Sequence, residues 1–217
     1  KGIRTFDPEK ALKAYAHEAM NKGPWGGANG RGFWKEYFEL GYVPYPESMG
    51  SSAQTMEYAY DDFVLAQVLQ KLETSDDYFP DPQKTGLYDT LMIRARYYRN
   101  VINPSTGYAQ GRYADGSFLT DAGNAFSFTR FITEGAPCHY TWYAPHDIYG
   151  LMECMGGKEK YIAKLDSMFS EHRYWHGNEP CHQIAYLFNY AGQPWKTNGG
   201  TSYYGNRISE CSRWSVR

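Results

Sequence analysis

Segments of helical period, parted by Gly- and Pro-rich breaks and never joined by convincing strand alternation, set the strongest limit on what this chain can fold into. Asp7-Pro8-Glu9 supplies an N-cap, a first-turn proline and an acid suited to the helix dipole, so a helix is predicted from there to about Met20. Gly23 to Gly32 reads as a loop. Ser52 can cap a long helix to about Leu72, with Met56, Tyr60, Phe63, Val64 and Leu72 near helical period. Further helices are predicted over about Leu87–Val101, Tyr140–Tyr143, Asp147–Met155, Lys158–Phe169 and Pro180–Tyr190, with another beyond Gly192-Gln193-Pro194. Ser105 to Ser117, with its Thr-Gly and Asp-Gly turns, suits a small hairpin. About seven helices, with no repeat at fixed period, make the fold class all-α, its helices in antiparallel pairs. Residues 198–217 carry Gly, Ser and Arg without apolar periodicity and read as a divergent, irregular tail on a 1–197 domain.

A chain of 217 residues is long enough to bury a core. Its net charge of −2, with Lys and Arg dispersed, gives no electrostatic basis for binding nucleic acid or an anionic membrane. No run of about 18 apolar residues is present, so no segment is expected to span a bilayer. Lys1 is not an initiator Met, and the start reads as cut or processed. With 21 Tyr, 11 Phe and 6 Trp the chain is 18% aromatic. Such rings stack on the C–H faces of sugars as readily as they fill a helical core. Cys138, Cys154, Cys181 and Cys211 lack metal-binding spacing and are expected as small buried side chains rather than a zinc site or a disulfide framework.

Residues 174–190, YWHGNEPCHQIAYLFNY, concentrate the polar chemistry. His176, Asn178, Glu179, His182 and Gln183 crowd ahead of an apolar aromatic run. With Pro180 as a first helical residue, Glu179 would stand at the helix mouth and Gln183 one turn on along the same face. Oxygen and imidazole groups so gathered suit a polyol or a hard cation. An aromatic helix with a polar cap is the plainer reading of the same residues.

Five blocks, in this order, resemble the calcium-dependent exo-α-mannosidases of glycoside hydrolase family 92. They are GYVP at 41–44, MEYAYDDFVLAQ at 56–67, NVINPSTGYAQGRYADGSF at 100–118, ITEGAPCHYTWYAPHDIYGLMECMGG at 132–157 and HGNEPCHQIAYLFNYAGQPWKT at 176–197. The resemblance implies a partial (α/α)6 toroid with roughly half of its helices present and the site where loops converge at one end. It also implies a missing remainder of the catalytic domain, a β-sandwich domain ahead of it, a mannose-containing glycan as substrate, Ca2+ as cofactor and a secreted or periplasmic setting.

Thr133-Glu134-Gly135 matches the motif whose Glu is the family's general acid. Phe131, Ile132, Tyr140 and Trp142 would desolvate that carboxyl and favour its protonated form, as an acid at a leaving oxygen requires. Without the resemblance, an exposed loop Glu is the plainer reading. Inverting hydrolysis also needs a carboxylate across the ring to activate water. In the family that base belongs to a Gly-Asp-x-Asp-x-Gly loop beyond PWKT. Nothing after Lys196 matches it: the tail holds no Asp, and its acid is Glu210.

The resemblance places calcium at HGNEPCHQ, where Glu179 and Gln183 are expected to supply oxygens. Imidazole suits calcium badly, so His176 and His182, with Asn178, are expected at sugar hydroxyls. Trp142 is a stacking platform or a core residue. Asp61-Asp62 faces either solvent or a sugar, and Asp147 as an N-cap accounts for His146-Asp147. Two functions stand. One is a fragment of an inverting exo-α-mannosidase, with α-1,2 linkage preference, inactive alone for want of its base. The other is a non-catalytic glycan-binding or structural remnant of the same fold.

Overall fold

A computed structural model describes residues 5–21, 30–73 and 83–197. The tail 198–217 with Cys211, the turn residues Pro80 to Pro82 and most of the Gly23–Gly32 loop lie outside the described residues. The elements are α1 (Pro8–Met20), α2 (Trp34–Leu40), α3 (Ser51–Glu73), α4 (Gln83–Arg94), a 3-10 turn (Tyr97–Val101), β1 (Ile102–Asn103) and β2 (Tyr108–Ala109). There follow α5 (Pro137–Tyr140), α6 (Ile148–Cys154), α7 (Lys158–Ser170), 3-10 turns at Glu179–Cys181 and Ile184–Tyr186, and α8 (Leu187–Tyr190), with helical residues again at 194–197.

Local chemistry explains three of the helix ends. The Asp7 side chain accepts from the Lys10 N–H at 3.0 Å and Asp147 accepts from the Gly150 N–H at 3.0 Å, each satisfying an otherwise orphaned donor. α2 has no counterpart in the sequence reading. Its stop is Gly41 at φ 79°, whose N–H bonds the Tyr37 carbonyl in a left-handed cap.

Three expected elements take different forms. The helix expected over 87–101 breaks after Arg94, where the Arg96 N–H bonds Ile93 instead of Met92 and the Ala95 carbonyl meets His146 Nε2 at 2.7 Å. The Arg99 N–H then falls back on Arg96, one residue short of an α-helical bond. The helix expected over 180–190 is likewise two 3-10 turns before α8. Tyr174 Oη donates to the Cys181 carbonyl that a continuous helix would have used. The piece expected near Tyr140–Tyr143 lies earlier, over Pro137–Tyr140, where Pro137 occupies a first-turn position. The 105–117 excursion holds two small hairpins: β1 pairs antiparallel with β2, and Arg112 bridges Phe118 around Asp115-Gly116.

The main core joins Trp142, Tyr161, Leu165, Leu151, Ile184 and Leu187 to Met56 and Ala59 of α3. A second core holds Leu12 and Ala19 of α1, Leu65 and Leu69 of α3, and Leu91 of α4. α3 therefore serves both cores from its two halves. Cys138 and Cys181 are buried in this packing as expected. Between the halves sits Asp62, fully buried. Its carboxylate takes Arg94 Nε at 2.8 Å, Arg31 Nη1 at 2.9 Å and Tyr37 Oη at 3.1 Å. Arg94 also bonds the Ala19 carbonyl at 3.1 Å, so one carboxylate ties α1, α2, α3 and α4 together. No helix among the described residues is long and apolar enough to cross a membrane.

Candidate active site

The turn carrying Glu134 leaves the main core at Phe131 and Ile132 and returns to it at α5. Glu134 itself has φ 54°, a left-handed conformation uncommon for a residue with a Cβ and typical of positions held by function or surroundings. What holds it is Asn178. This side chain is 5% exposed, and its Nδ2 donates to the Glu134 carbonyl at 3.2 Å. Two blocks 44 residues apart in sequence are thus joined backbone to side chain.

The network continues inward. Tyr140 stands between Asn178 and the Glu57 carboxyl on α3 and interacts with both. Burial raises the Glu57 pKa above its ordinary value, repulsion from Asp61 and Glu134 raises it further, and Tyr140 opposes both. Burial, with Glu57 beside it, pushes the Tyr140 hydroxyl up to about 12. Glu57 is the residue that sequence reasoning missed. Its signal was present in the helical spacing of MEYAYDDF, where Glu57 and Asp61 fall four residues apart on one face.

Several expectations change here. Phe131, Ile132, Tyr140 and Trp142 are buried, but Glu134 is exposed, so the half-desolvated carboxyl of the site is Glu57 and not Glu134. Trp142 is 1% exposed, packs edge-on against Tyr161 at 5.1 Å and donates from Nε1 to the Cys138 carbonyl at 2.7 Å. It offers no face to a sugar. Asn178, expected at a sugar hydroxyl, spends its amide on Glu134 and acts as an internal tie. The Asp61-Asp62 pair splits: Asp62 belongs to the arginine hub, and Asp61 is exposed.

The rest of the 176–183 segment stays accessible. His176, Glu179 and His182 are exposed. The two imidazoles lie with centroids 4.1 Å apart and planes tilted by 30°, and His176 Nδ1 lies 3.0 Å from Tyr174 Oη. Partial desolvation, then repulsion from His182, pushes His176 down to about 4, which keeps it neutral at physiological pH. Gln183 is half-buried and donates from Nε2 to the Trp142 carbonyl at 3.1 Å, which orients its Oε1 as an acceptor for a ligand. Among the described residues no three His, Cys, Asp or Glu side chains gather as a metal cage. Calcium takes six to eight oxygens, so Glu179 and Gln183 do not by themselves hold it. A cleft of about 460 Å³ lies elsewhere, lined by Tyr15, Arg31, Tyr58, Asp61 and Val64 but by neither Glu134 nor the 176–183 residues.

The arrangement is an exposed carboxyl on a pinned turn, tied to the segment that carries two exposed imidazoles, the form a sugar-hydrolysing site would take. Comparison with known proteins agrees, because the glycosyl hydrolase family 92 catalytic domain matches residues 1–208. The chain belongs to this family. An inverting family 92 mannosidase of Bacteroides thetaiotaomicron is 35% identical, with a TM-score of 0.78 over 90% of this chain and 28% of that one. A family 92 α-mannosidase of the same organism is 37% identical, with a TM-score of 0.77 over 90% of this chain and 24% of that one. A protein of Arthroderma benhamiae described as an uncharacterised secreted glycosidase is 24% identical over 211 residues, 87% of this chain and 27% of its own length. The chain thus spans about a quarter of the length of these relatives. The expected fold class holds: this is an all-α part of an α/α toroid.

Proposed function

We propose that the chain is part of the catalytic domain of an inverting, calcium-dependent exo-α-mannosidase that removes terminal, α-1,2-linked mannose from glycans outside the cytoplasm. The observation that carries the reading is the Asn178–Glu134 bond, which brings the acid motif and HGNEP to one place as a single sugar would require. The names of the two bacterial relatives support the mannose specificity, and the secreted fungal relative supports the location.

In this reading Glu134 protonates the leaving oxygen. Its exposed position in the described residues suits an acid at the mouth of a site that substrate and the rest of the domain then cover. Asn178, held by Tyr140 and Glu57, fixes the turn and so the direction of the carboxyl. His176 and His182 meet sugar hydroxyls. Glu179 and Gln183 would give two oxygens to a calcium ion, which needs further oxygen ligands besides theirs. Bound there, calcium would orient sugar oxygens and polarise them.

The base that activates water belongs to an Asp-rich motif that the sequence lacks. The 217-residue chain is therefore expected to release no mannose by itself, with or without calcium. A longer protein carrying that motif should release it, and EDTA should stop the release. Calcium-dependent mannose release by the 217-residue chain would refute the missing base. The missing motif also favours a second reading, a glycan-binding remnant, which predicts mannobiose binding with no turnover in any longer form.

A further inference from the structure

The 173–176 segment runs without helix or turn into HGNEP, and its successive side chains go to opposite sides. Tyr174 and His176 share one side, as their 3.0 Å contact requires. Trp175 is therefore turned to the other, where its ring lies 5.8 Å from His139 and 6.4 Å from Phe128 between centroids. Both aromatic rings are open to solvent, Trp175 at 40% and Phe128 at 70% exposure.

The indole is seated rather than loose. A Cβ placed on Gly177 would meet Trp175 Nε1 at 2.3 Å and Cε2 at 2.4 Å, so the ring lies directly on the glycine of HGNEP. No other residue type at 177 would leave it there. On its other flank His139 is fixed at both nitrogens. Nδ1 accepts from the Ala136 N–H at 3.1 Å, and Nε2 donates to the Arg173 carbonyl at 3.1 Å. The same imidazole borders the acid turn, since a Cβ on Gly135 would lie 3.5 Å from His139 Nδ1. One fixed ring thus separates the indole from the backbone beside Glu134.

We infer that Trp175, with Phe128 beside it, is the stacking platform for the sugar on the leaving-group side of the bond that Glu134 protonates. This rests on the mannosidase reading above. A general acid stands between the two sugars it parts, so groups that serve the two sugars must flank it. The two sides of the 173–176 segment, which meets the acid turn through His139 and Asn178, differ in chemistry: the imidazole pair offers hydrogen bonds, and the indole–phenyl pair offers an apolar face. An aromatic face takes the C–H side of a pyranose of whatever identity, so it contributes to binding of the aglycone without selecting a single sugar. The enzyme is accordingly one that favours a saccharide aglycone over a small leaving group.

The test compares α-mannobiose with α-mannosyl fluoride, whose leaving group has no ring to stack, in the full-length protein that carries this chain. Trp175→Ala should lower the ratio of the two kcat/KM values about fivefold to tenfold, the worth of one aromatic contact, and Trp175→Phe should restore most of it. Fluorescence titration of the Glu134→Gln protein should show the matching loss of mannobiose affinity on Trp175→Ala, with methyl α-mannoside affinity changed much less. Equal losses for both substrates, or none for mannobiose, would overturn the platform and leave Trp175 as packing. Failure of the unmutated protein to release mannose from either substrate would instead overturn the mannosidase reading, and the platform with it.

Discussion

Helix α3 carries two buried or half-buried carboxyls five residues apart, and the contrast between them separates architecture from chemistry. Asp62 is fully buried, yet two guanidinium groups and a tyrosine hydroxyl meet it, so its charge is compensated on the spot. Glu57 is half-buried with no cation among its influences: its neighbours are Asp61, Glu134 and the Tyr140 hydroxyl. A compensated carboxylate locks helices together. An uncompensated one holds a proton more readily and can be moved by what binds near it.

The largest effect expected of this contrast is at the open end. In the full-length enzyme, Glu134→Gln should cost about 10²–10⁴-fold in turnover of substrates with poor leaving groups, while activated aryl mannosides, which need little protonation, suffer far less. Equal losses on both would remove Glu134 from the acid role. Next comes Asp62→Ala, which leaves two buried guanidinium groups without their partner. Urea unfolding should register a loss of about 3–5 kcal/mol. A loss below about 1 kcal/mol would mean that the hub contributes little and that the contrast with Glu57 is one of geometry alone.

Asn178→Ala should cost about 1–2 kcal/mol, near tenfold in kcat/KM, because the Glu134 carbonyl loses its buried partner. The loss should fall on kcat with poor leaving groups, and a change confined to KM would return Asn178 to a sugar-contact role. The smallest effect is the pH response of Glu57. Its folded pKa is raised above 4.5, so the folded state binds more protons than the unfolded state above that pH. Stability from this group is therefore present in acid and lost as pH rises through the folded pKa. Glu57→Gln, which can still accept from Tyr140, should be more stable than the parent at neutral pH and lose that advantage below the ordinary carboxylate range. A constant difference across pH would show that Glu57 does not titrate as the site requires.

What the chain specified by itself was local. Asp7 and Asp147 mark their helices because a short carboxylate can reach an N–H three residues on, whatever surrounds it. Helical period between Gly and Pro breaks carried the all-α class, and the five motif blocks carried the family, since runs of residue identity survive without knowledge of contacts. Only tertiary structure decided what each polar group does. Asp61 and Asp62 are neighbours of one type, and their fates part because Arg31 and Arg94 approach from 31 and 32 residues away. Trp142 went to the core and Trp175 to the surface for a similar reason, since neither the Cys138 carbonyl nor the seat on Gly177 shows in hydrophobic pattern. Glu57 became part of the site through Tyr140 and Asn178, residues of two other blocks. Burial and hydrogen bonding depend on distances between segments, and those distances are set by the cores that the segments build together.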